Sequence, residues 1–396
     1  MKRAGSNGVA KGLLCNSDDI MVIMKPFFSI IMACCDVEPF IREAVESVTK
    51  QSFGDWECIC GIEDSKDKTE EILREIAVSE PRIRVFTHPR SGSCSATRNI
   101  GTDMARGEYV IFLDGDDSIA DGALARIAEK IKTSPGADIY PCAIVAYEED
   151  SGKKEIRNNF AASSSSEMTG VEALLDIYRL CGDNYCPMLQ MNVFRREFLV
   201  ENDLKCIYGI RRQDSEFTPR AFYRAKRVVP LHEPFYLYRL HSNSVSSSAK
   251  IAGYFQKDWA IINKSLFAFY AKASREPGFD QRVSVYWARN WITRFLYFWF
   301  DPRNIRAIPR ERRLETLNIL FSEGFHDFNL LLKSAGAGRR LAGWWTRIFV
   351  RYPALRGVTE FFFQCYFGLS GMKGKKKTLS CVLHRGTFAD SQQNVK

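Results

Sequence analysis

The sequence predicts an α/β protein with a mostly parallel β-sheet and a helical C-terminal extension. Continuous apolar runs alternate with segments of helical spacing over the first 150 residues, as expected where strands buried on both faces are joined by crossover helices. A cluster of carboxylates directly follows one of these apolar runs. A change in charge and aromatic content near residue 250 marks the start of a second region.

The predicted strands are short runs rich in apolar and β-branched residues. In chain order they are Phe27–Cys34, Trp56–Ile62, Ile83–Phe86, Tyr109–Leu113 and Asp138–Val145. A polar segment with four consecutive serines, Ser151–Ser166, is expected to be a loop, and Arg227–Tyr238 is expected to be extended.

The predicted helices lie between these strands and show apolar residues at helical intervals. Pro39 is suited to the first turn of the first helix, and Asp67 is suited to cap the second. The helices are marked by Phe40, Ile41, Ala44, Val45 and Val48, by Ile72 and Ile76, by Ser95–Ala105, and by Ala123, Ile127 and Ile131.

The composition excludes several classes of protein. The chain has 396 residues, 45% of them hydrophobic and 26% charged, which is typical of a globular protein. No run of about 20 apolar residues is present, and so no transmembrane helix is predicted. The 12 cysteines include no Cys-x-x-Cys pair and favour reduced thiols in a cytoplasmic setting over disulfides or structural zinc. The apolar run at Phe27–Cys35 resembles a signal segment but is short, and we interpret it as a buried strand.

Charge divides the chain into unequal parts. Residues 250–396 carry 25 Lys and Arg against 10 Asp and Glu, a net charge of +15, whereas residues 1–249 carry 31 against 37, a net charge of −6. We therefore predict a flexible leader over 1–25, a catalytic or binding domain over 26–249 and a basic, aromatic-rich helical extension over 250–396. Two regions of opposite charge indicate two different partners.

The extension permits two interpretations. Its tryptophans and phenylalanines could form the core of a helical subdomain, or could also sit at an anionic membrane surface with Lys and Arg on the headgroups. The second interpretation predicts a peripheral protein on the inner face of the plasma membrane. Nucleic-acid binding is not expected, because no recognised module is present and the acidic part would oppose it.

The main candidate site is Asp114-Gly115-Asp116-Asp117, which follows the run Tyr109–Leu113. In open parallel sheets, ligands bind outside the carboxyl ends of the strands. Carboxylates crowded there repel one another unless a cation joins them, and so Asp-x-Asp at a strand end is suited to a divalent ion and its phosphates. Taken alone, the motif is also compatible with a solvated acidic turn.

Three further clusters follow other predicted strands or open a helix. Cys35 and Glu38 lie after the first strand, and Glu63 and Asp64 lie after the second, where carboxylates could accept hydrogen bonds from a nucleobase and its ribose. Arg98 lies in the helix that begins at Ser95 and is placed to meet a phosphate or a strand-end carboxylate.

This order of motifs resembles the family 2 glycosyltransferases, which have the GT-A fold. Ser95-Ala-Thr-Arg-Asn-Ile-Gly101 matches a family motif, and the segment 106–117, RGEYVIFLDGDD, is very similar to another. The first two motifs, IIMACCDVEPFI at 30–41 and EDSKD at 63–67, depart from the family, with Cys35 at a tyrosine position. Gln213-Asp214-Ser215-Glu216-Phe217 and the closing segment 228–246 complete a resemblance that covers about residues 27–246.

The resemblance implies roles for individual residues. Asp114 and Asp116 would bind a divalent metal, Mn²⁺ or Mg²⁺. Asp214 would be the catalytic base that activates an acceptor hydroxyl, with Glu216 as the alternative. The nucleotide sugar, expected to be a UDP-sugar, would contact a set of residues at the candidate site. This set is Cys35, Glu38, Glu63, Asp64, Arg98, Asp114 and Gly115. Whether Glu63 or Asp64 contacts the nucleobase is open.

The implied function is an inverting glycosyltransferase of cell-envelope glycan synthesis that acts on a polysaccharide or lipid-linked acceptor. Two alternatives remain open at this point. A nucleotidyltransferase-like enzyme could also place metal-binding carboxylates on an α/β sheet, although no glycine-rich loop follows the first strand. A catalytically degenerate GT-A scaffold is compatible with the altered first two motifs.

Overall fold

The computed structural model describes residues 25–149, 151–160, 166–181, 187–241, 251–280 and 282–283. The strands in this part are β1 Phe28–Cys34, β2 Trp56–Glu63, β3 Ile83–His88, β4 Tyr109–Asp114, β5 Ser118–Ile119, β6 Ile139–Pro141, β7 Ala143–Glu148, β8 Lys154–Arg157, β9 Asn192–Arg195 and β10 Pro234–Leu240. The helices are α1 Ile41–Thr49, α2 Thr69–Ser79, α3 Ser95–Met104, α4 Ala123–Thr133, α5 Gly170–Cys181, α6 Arg196–Glu201, α7 Asp214–Arg224 and α8 Ile251–Ala273.

Two mixed sheets organise the domain. The larger has the order β3-β2-β1-β4-β9-β6, and the smaller has the order β5-β10-β7-β8. Strands β3, β2, β1 and β4 are parallel, which confirms the predicted parallel α/β core, while β9 runs antiparallel to β4. Since the four parallel strands point the same way, their carboxyl ends meet at one edge and create the site there.

The central strands are buried on both faces, as their continuous apolar sequences predict. Ile30 and Met32 on one face of β1 belong to one apolar cluster, and Ile31 on the other face belongs to a second. The first cluster lies under α1, α2 and α4, and the second lies under α5 and α7. The first run is therefore a core strand.

Helix α2 begins two residues after Asp67, the residue predicted to cap it, and Lys68 occupies the cap position instead. The Asp67 carboxylate accepts hydrogen bonds from the amide of Thr69 at 3.0 Å and from the amide of Glu38 at 2.8 Å. One side chain thus satisfies an amide at the start of α2 and fixes the turn before α1.

Three predictions about strands need correction. The single strand predicted over 138–145 is two strands in different sheets, since Pro141 has no amide hydrogen to continue a ladder and Cys142 donates to Met191 instead at 2.7 Å. The segment 151–166, predicted as a loop, contains the exposed edge strand β8. The extended run predicted over 227–238 forms a strand only from Pro234, and this strand, β10, pairs with β5 and β7.

Helix α8 shows that packing continues past the predicted boundary at 249/250. Its residues Ile262, Leu266 and Tyr270 are buried in the same cluster as α5 and α7. None of the helices in the described part of the chain is both long and apolar enough to span a membrane. Residues 1–24 of the predicted leader and most of the predicted extension lie outside the described residues.

Replacing Gly170 by alanine is expected to destabilise the domain by about 3 kcal/mol. Gly170 opens α5, and an added Cβ would lie 1.8 Å from the Phe222 carbonyl oxygen and 2.6 Å from the Ala225 carbonyl oxygen. Both are backbone atoms of α7 and its end, and so α5 would have to move. Urea unfolding measures the loss, with Gly54→Ala as the control, because its nearest neighbour would be 3.7 Å away. Equal stability of the two variants would contradict this packing.

Candidate active site

A cleft of about 580 Å³ lies at the carboxyl ends of β1, β2 and β4. Its walls come from these strand ends, the segment before α3, the start of α7, β10 and α8. The lining residues are Ala33, Cys34, Cys35, Asp36, Val37, Glu63, Arg90, Gly92, Ser93, Cys94, Thr97, Arg98, Asp114, Asp116, Asp117, Gln190, Arg211, Arg212, Gln213, Asp214, Tyr238, Asp258, Trp259 and Ile262.

Asp114, at the end of β4, is held by two buried side chains. Arg98 Nη2 donates to Asp114 Oδ1 at 2.7 Å, and Gln190 Nε2 donates to Asp114 Oδ2 at 2.5 Å. Arg98 and Gln190 are only 3% and 5% exposed, which makes this a charge-assisted pair with little freedom. Both carboxylate oxygens of Asp114 are therefore engaged within the protein.

Asp116 is placed differently and is the more available carboxylate. It lines the cleft, and its Oδ2 lies 3.3 Å from His241 Nε2. Burial raises the pKa of Asp116, and the neighbouring negative charge of Asp114 raises it further. A cation bound at Asp116 would relieve both effects.

Asp117, the third carboxylate of the motif, has a structural role. It is 2% exposed and accepts hydrogen bonds from the Tyr236 hydroxyl at 2.5 Å and from the Arg239 amide at 2.8 Å. Arg239 Nε also donates to the Asp116 carbonyl oxygen at 3.0 Å. Strand β10 thereby fixes the backbone of the acidic motif.

Glu63 and Asp64, which the sequence leaves as alternatives, have different environments. The Glu63 carboxylate lines the cleft but accepts hydrogen bonds from the Ser91 hydroxyl at 2.6 Å and from the Gly92 amide at 2.6 Å. It therefore orders the segment before α3. Asp64 is exposed, has a φ of 38° and is not among the residues that line the cleft.

Cys35 lines the same end of the cleft, next to an ion pair that the sequence did not predict. The Arg90 guanidinium donates to Cys35 Sγ at 3.1 Å and to Asp36 Oδ2 at 2.5 Å. The Lys66 amide also donates to Asp36 at 2.7 Å, and this bond lowers the pKa of Asp36. Asp36 has a φ of 53°, which is uncommon for a residue other than glycine and recurs at functional sites.

Glu38 and Gly115 flank the cleft rather than line it. The Glu38 carboxylate accepts a hydrogen bond from the Lys68 amide at 3.1 Å. The Gly115 amide donates to the Ala33 carbonyl at 2.9 Å, and a Cβ on Gly115 would lie 3.0 Å from Val37. Glu38 thus ties the turn after β1 to the start of α2, and Gly115 ties the end of β4 to the end of β1.

Asp214 and Glu216, the two candidates for a catalytic base, are separated by the structure. Asp214 is the first residue of α7 and lines the cleft. Burial raises its pKa, and the positive charges of Arg98 and Arg212 oppose that rise. Glu216 is fully buried, where it pairs with Arg220 at 2.6 Å and accepts from Ser265 at 2.7 Å. This geometry favours Asp214.

One wall of the cleft comes from α8, a helix that the sequence assigned to the extension. Asp258, Trp259 and Ile262 line it, and the Arg211 amide donates to Asp258 Oδ2 at 3.0 Å. The sequence signal available for α8 was its apolar spacing alone. Gln190 lies in none of the sequence motifs. Arg90, Arg211 and Arg212 could be recognised from the sequence only as basic residues.

The sequence model of glycosyl transferase family 2 matches residues 29–200. Over this segment the chain is similar to glycosyl transferase family 2. The glycosyltransferase EpsJ of Bacillus subtilis, itself uncharacterized, is 31% identical over 224 residues, which cover 56% of this chain and 64% of EpsJ. The minor teichoic acid biosynthesis protein GgaB of Bacillus subtilis is 27% identical over 245 residues, which cover 61% of this chain and 26% of GgaB. The chain thus spans less than two thirds of these relatives.

Solved structures confirm the predicted fold. The crystal structure of residues 1–349 of Staphylococcus aureus TarS in complex with UDP-GlcNAc is similar with a TM-score of 0.63 and 19% identity, covering 87% of this chain and 92% of that one. The complex of the same protein with UDP gives a TM-score of 0.61. The domain that contains the family 2 match therefore has the GT-A fold, and its cleft lies at the strand ends that the sequence predicted.

Proposed function

We propose that this protein is an inverting glycosyltransferase that moves a sugar from a nucleotide-diphosphate donor, a UDP-sugar, to a glycan or lipid-linked acceptor in cell-envelope synthesis. The observation that carries the proposal is the convergence of Asp116, Arg98 and Asp214 on one cleft of a family 2 domain. The TarS complexes with UDP and UDP-GlcNAc support the donor, and the similarity to GgaB supports an envelope polymer as acceptor.

The nucleotide would occupy the end of the cleft near Cys35, Asp36 and Glu63. Glu63 lines this end and already orders the segment 91–92, and so it fits the base-contacting role better than the exposed Asp64. Arg98, fixed on Asp114 at 2.7 Å, would hold that carboxylate beside the donor sugar and diphosphate. Because these charged groups are already in position, the protein does not need to rearrange when the bond between the donor sugar and its diphosphate breaks.

Asp116 and His241 fit a divalent cation that would be shared with the donor diphosphate. Oxygen ligands suit Mg²⁺ and Mn²⁺, and Mg²⁺ is usually held by one or two carboxylates plus substrate phosphates. Within the described residues no group of three His, Cys, Asp or Glu side chains is placed to hold a metal ion. When bound, the ion would neutralise charge that develops on the leaving diphosphate. Asp114, with both oxygens engaged, would contribute mainly through its charge.

Asp214 would remove the proton from the attacking acceptor hydroxyl. A base opposite the leaving group leads to attack from the far face of the sugar, which inverts the anomeric carbon. Burial that raises the pKa of Asp214 makes it a stronger base than a surface carboxylate. Inversion is tested by determining the anomeric configuration of the product by NMR.

Nucleotide-sugar binding is the most accessible test of the proposal. A panel of UDP-, GDP-, CDP- and dTDP-sugars is screened for thermal stabilisation with and without Mn²⁺. At least one UDP-sugar is expected to raise Tm, and Mn²⁺ is expected to enhance the shift, since ligands that bind only the folded state stabilise it. A nucleotidyltransferase would favour a nucleoside triphosphate instead. A catalytically degenerate scaffold would bind without turnover.

Attachment to an anionic membrane, with a place on the cytoplasmic face of the plasma membrane, is part of the same proposal. Its support is the net charge of +15 over residues 250–396 and their aromatic content. We do not propose a nucleic-acid partner. Sedimentation with phosphatidylglycerol vesicles, compared for the full chain and a chain ending at residue 283, measures the contribution of the extension.

A further inference from the structure

The loop 205–213 is the C-terminal part of the connection between α6 and the catalytic-base helix α7, and it is basic. It contains Lys205, Arg211 and Arg212 and no acidic residue. Lys205 pairs with Asp103 at 2.9 Å on the outer surface, whereas Arg211 and Arg212 line the cleft directly before Asp214. The loop therefore brings two guanidinium groups to the side of the cleft where Asp214 lies.

The backbone of this loop is fixed from both sides. The Asn99 side chain bonds both backbone groups of Cys206, donating to its carbonyl at 2.9 Å and accepting from its amide at 2.8 Å. The Gly209 amide donates to Ser95 Oγ at 3.0 Å, and the Arg211 amide donates to Asp258 Oδ2 at 3.0 Å. Helices α3 and α8 thus hold the loop through its main chain.

Arg212 occupies a position that costs free energy. Its φ is 53° and it is exposed, and a residue other than glycine is strained in this region of backbone conformation. Glycine would avoid that cost. Arg212 also lies close enough for its charge to lower the pKa of Asp214. The strained residue is thus a cation at the mouth of the cleft, beside the proposed base.

We infer that Arg211 and Arg212 bind a phosphodiester of the acceptor, next to the hydroxyl that Asp214 activates. This inference rests on the proposed function and names the acceptor class, a polyol or sugar chain joined by phosphodiesters. In an inverting reaction the acceptor and the leaving diphosphate lie on opposite faces of the donor sugar. The diphosphate belongs with Asp116, His241 and the Arg98–Asp114 pair, and Arg211 and Arg212, which precede Asp214, belong with the acceptor. One guanidinium group can donate two parallel hydrogen bonds to two oxygens of a phosphate.

The test compares an Arg211→Gln, Arg212→Gln double variant with an Arg42→Gln, Arg74→Gln double variant of the full chain. The control pair loses the same charge from exposed positions on α1 and α2, where Arg42 and Arg74 pair with Glu75 and Glu70. Poly(glycerol phosphate) oligomers are the phosphodiester probe, and a neutral dextran oligomer is the matched probe without charge. Binding of the oligomer is measured either as sugar transfer to the oligomer or as competitive inhibition of donor hydrolysis by the oligomer.

The cleft variant is expected to raise the KM or inhibition constant for the oligomer at least tenfold, while the KM for the donor changes less than twofold. The control pair is expected to match the wild type. Arg211→Lys, Arg212→Lys is expected to restore part of the affinity, because the charge remains. Wild-type preference for dextran, or equal oligomer binding by the wild type and the cleft variant, would overturn the inference.

Two further readouts distinguish acceptor binding from a tuning role of the arginines and from lipid binding. If the arginines served only to tune Asp214, the variant would shift the pH profile of kcat and leave the oligomer KM unchanged, which overturns the inference. If inhibition that depends on these arginines came from phosphatidylglycerol vesicles and not from the oligomer, the ligand would be a lipid headgroup. The inference of a phosphodiester chain would then fail. Donor hydrolysis by the wild type is the check on the proposed function. If hydrolysis is present, a negative oligomer result counts against this inference alone.

Discussion

Asp214→Asn is expected to lower kcat for sugar transfer about 10²- to 10⁴-fold, the usual contribution of a general base, with little change in the KM for the donor. Asparagine keeps the shape of the side chain at the start of α7 but cannot accept a proton. Since burial raises the pKa of Asp214, wild-type kcat should fall as the pH decreases through that raised pKa. The variant should lose this dependence. Steady-state kinetics across the pH range measure both effects.

Glu216→Gln provides the contrast for the same helix. Glu216 pairs with Arg220 at 2.6 Å in a fully buried position, and removing one partner of a buried ion pair costs about 3–5 kcal/mol. This variant should lower Tm and leave kcat of the folded enzyme near that of the wild type. Asp176→Asn on α5, where Asp176 pairs with exposed Arg179, should change neither. If Glu216→Gln lost catalysis and Asp214→Asn kept it, the roles would be reversed.

Asp116→Asn is expected to reduce transfer about 10²- to 10³-fold, the typical cost of removing one electrostatic contact to developing charge. It should also abolish tight Mn²⁺ binding in the presence of UDP. The same change should preserve or raise Tm, because burial and the charge of Asp114 raise the pKa of Asp116 and disfavour its ionised form. Isothermal titration calorimetry and thermal unfolding measure the two effects.

Asp117→Asn is the matched control within the same motif. Asp117 accepts hydrogen bonds from the Tyr236 hydroxyl and the Arg239 amide, and an amide would place a donor against one of these donors. We expect a lower Tm for Asp117→Asn, whereas Asp116→Asn should not lower Tm. A fall in Tm of equal size in both variants would contradict the assignment of one structural and one functional carboxylate.

The sequence predicted the parallel core well because its strands are buried on both faces. Short continuous apolar runs such as Tyr109–Leu113 are typical of strands buried on both faces, and the helices between them follow from the spacing of their apolar residues. The second sheet was less predictable, because β8 is a short exposed edge strand and β10 begins only at Pro234. Which sheet a short strand joins depends on long-range pairing that local sequence does not encode.

The site was predictable where chemistry follows directly from a strand end. The sequence alone indicated that Asp114 and Asp116 belong to the candidate site and that Arg98 lies near them. Gln190 could not be predicted in this way, because its hydrogen bond to Asp114 joins residues 76 positions apart. The same applies to Arg90, whose partners Cys35 and Asp36 lie 55 and 54 residues earlier. The wall from α8 was missed because its aromatic residues resembled those of the extension that follows.

Release of nucleoside diphosphate from a UDP-sugar in the presence of Mn²⁺ tests the central claim most directly. The wild type is expected to release UDP, slowly with water as acceptor and faster with an acceptor chain. Asp116→Asn is expected to lower release about 10²- to 10³-fold, and Asp214→Asn is expected to remove most of the acceleration by the acceptor. Absence of release from every nucleotide sugar, or equal release by the wild type and Asp116→Asn, would contradict the account of the cleft as a sugar-transferase active site.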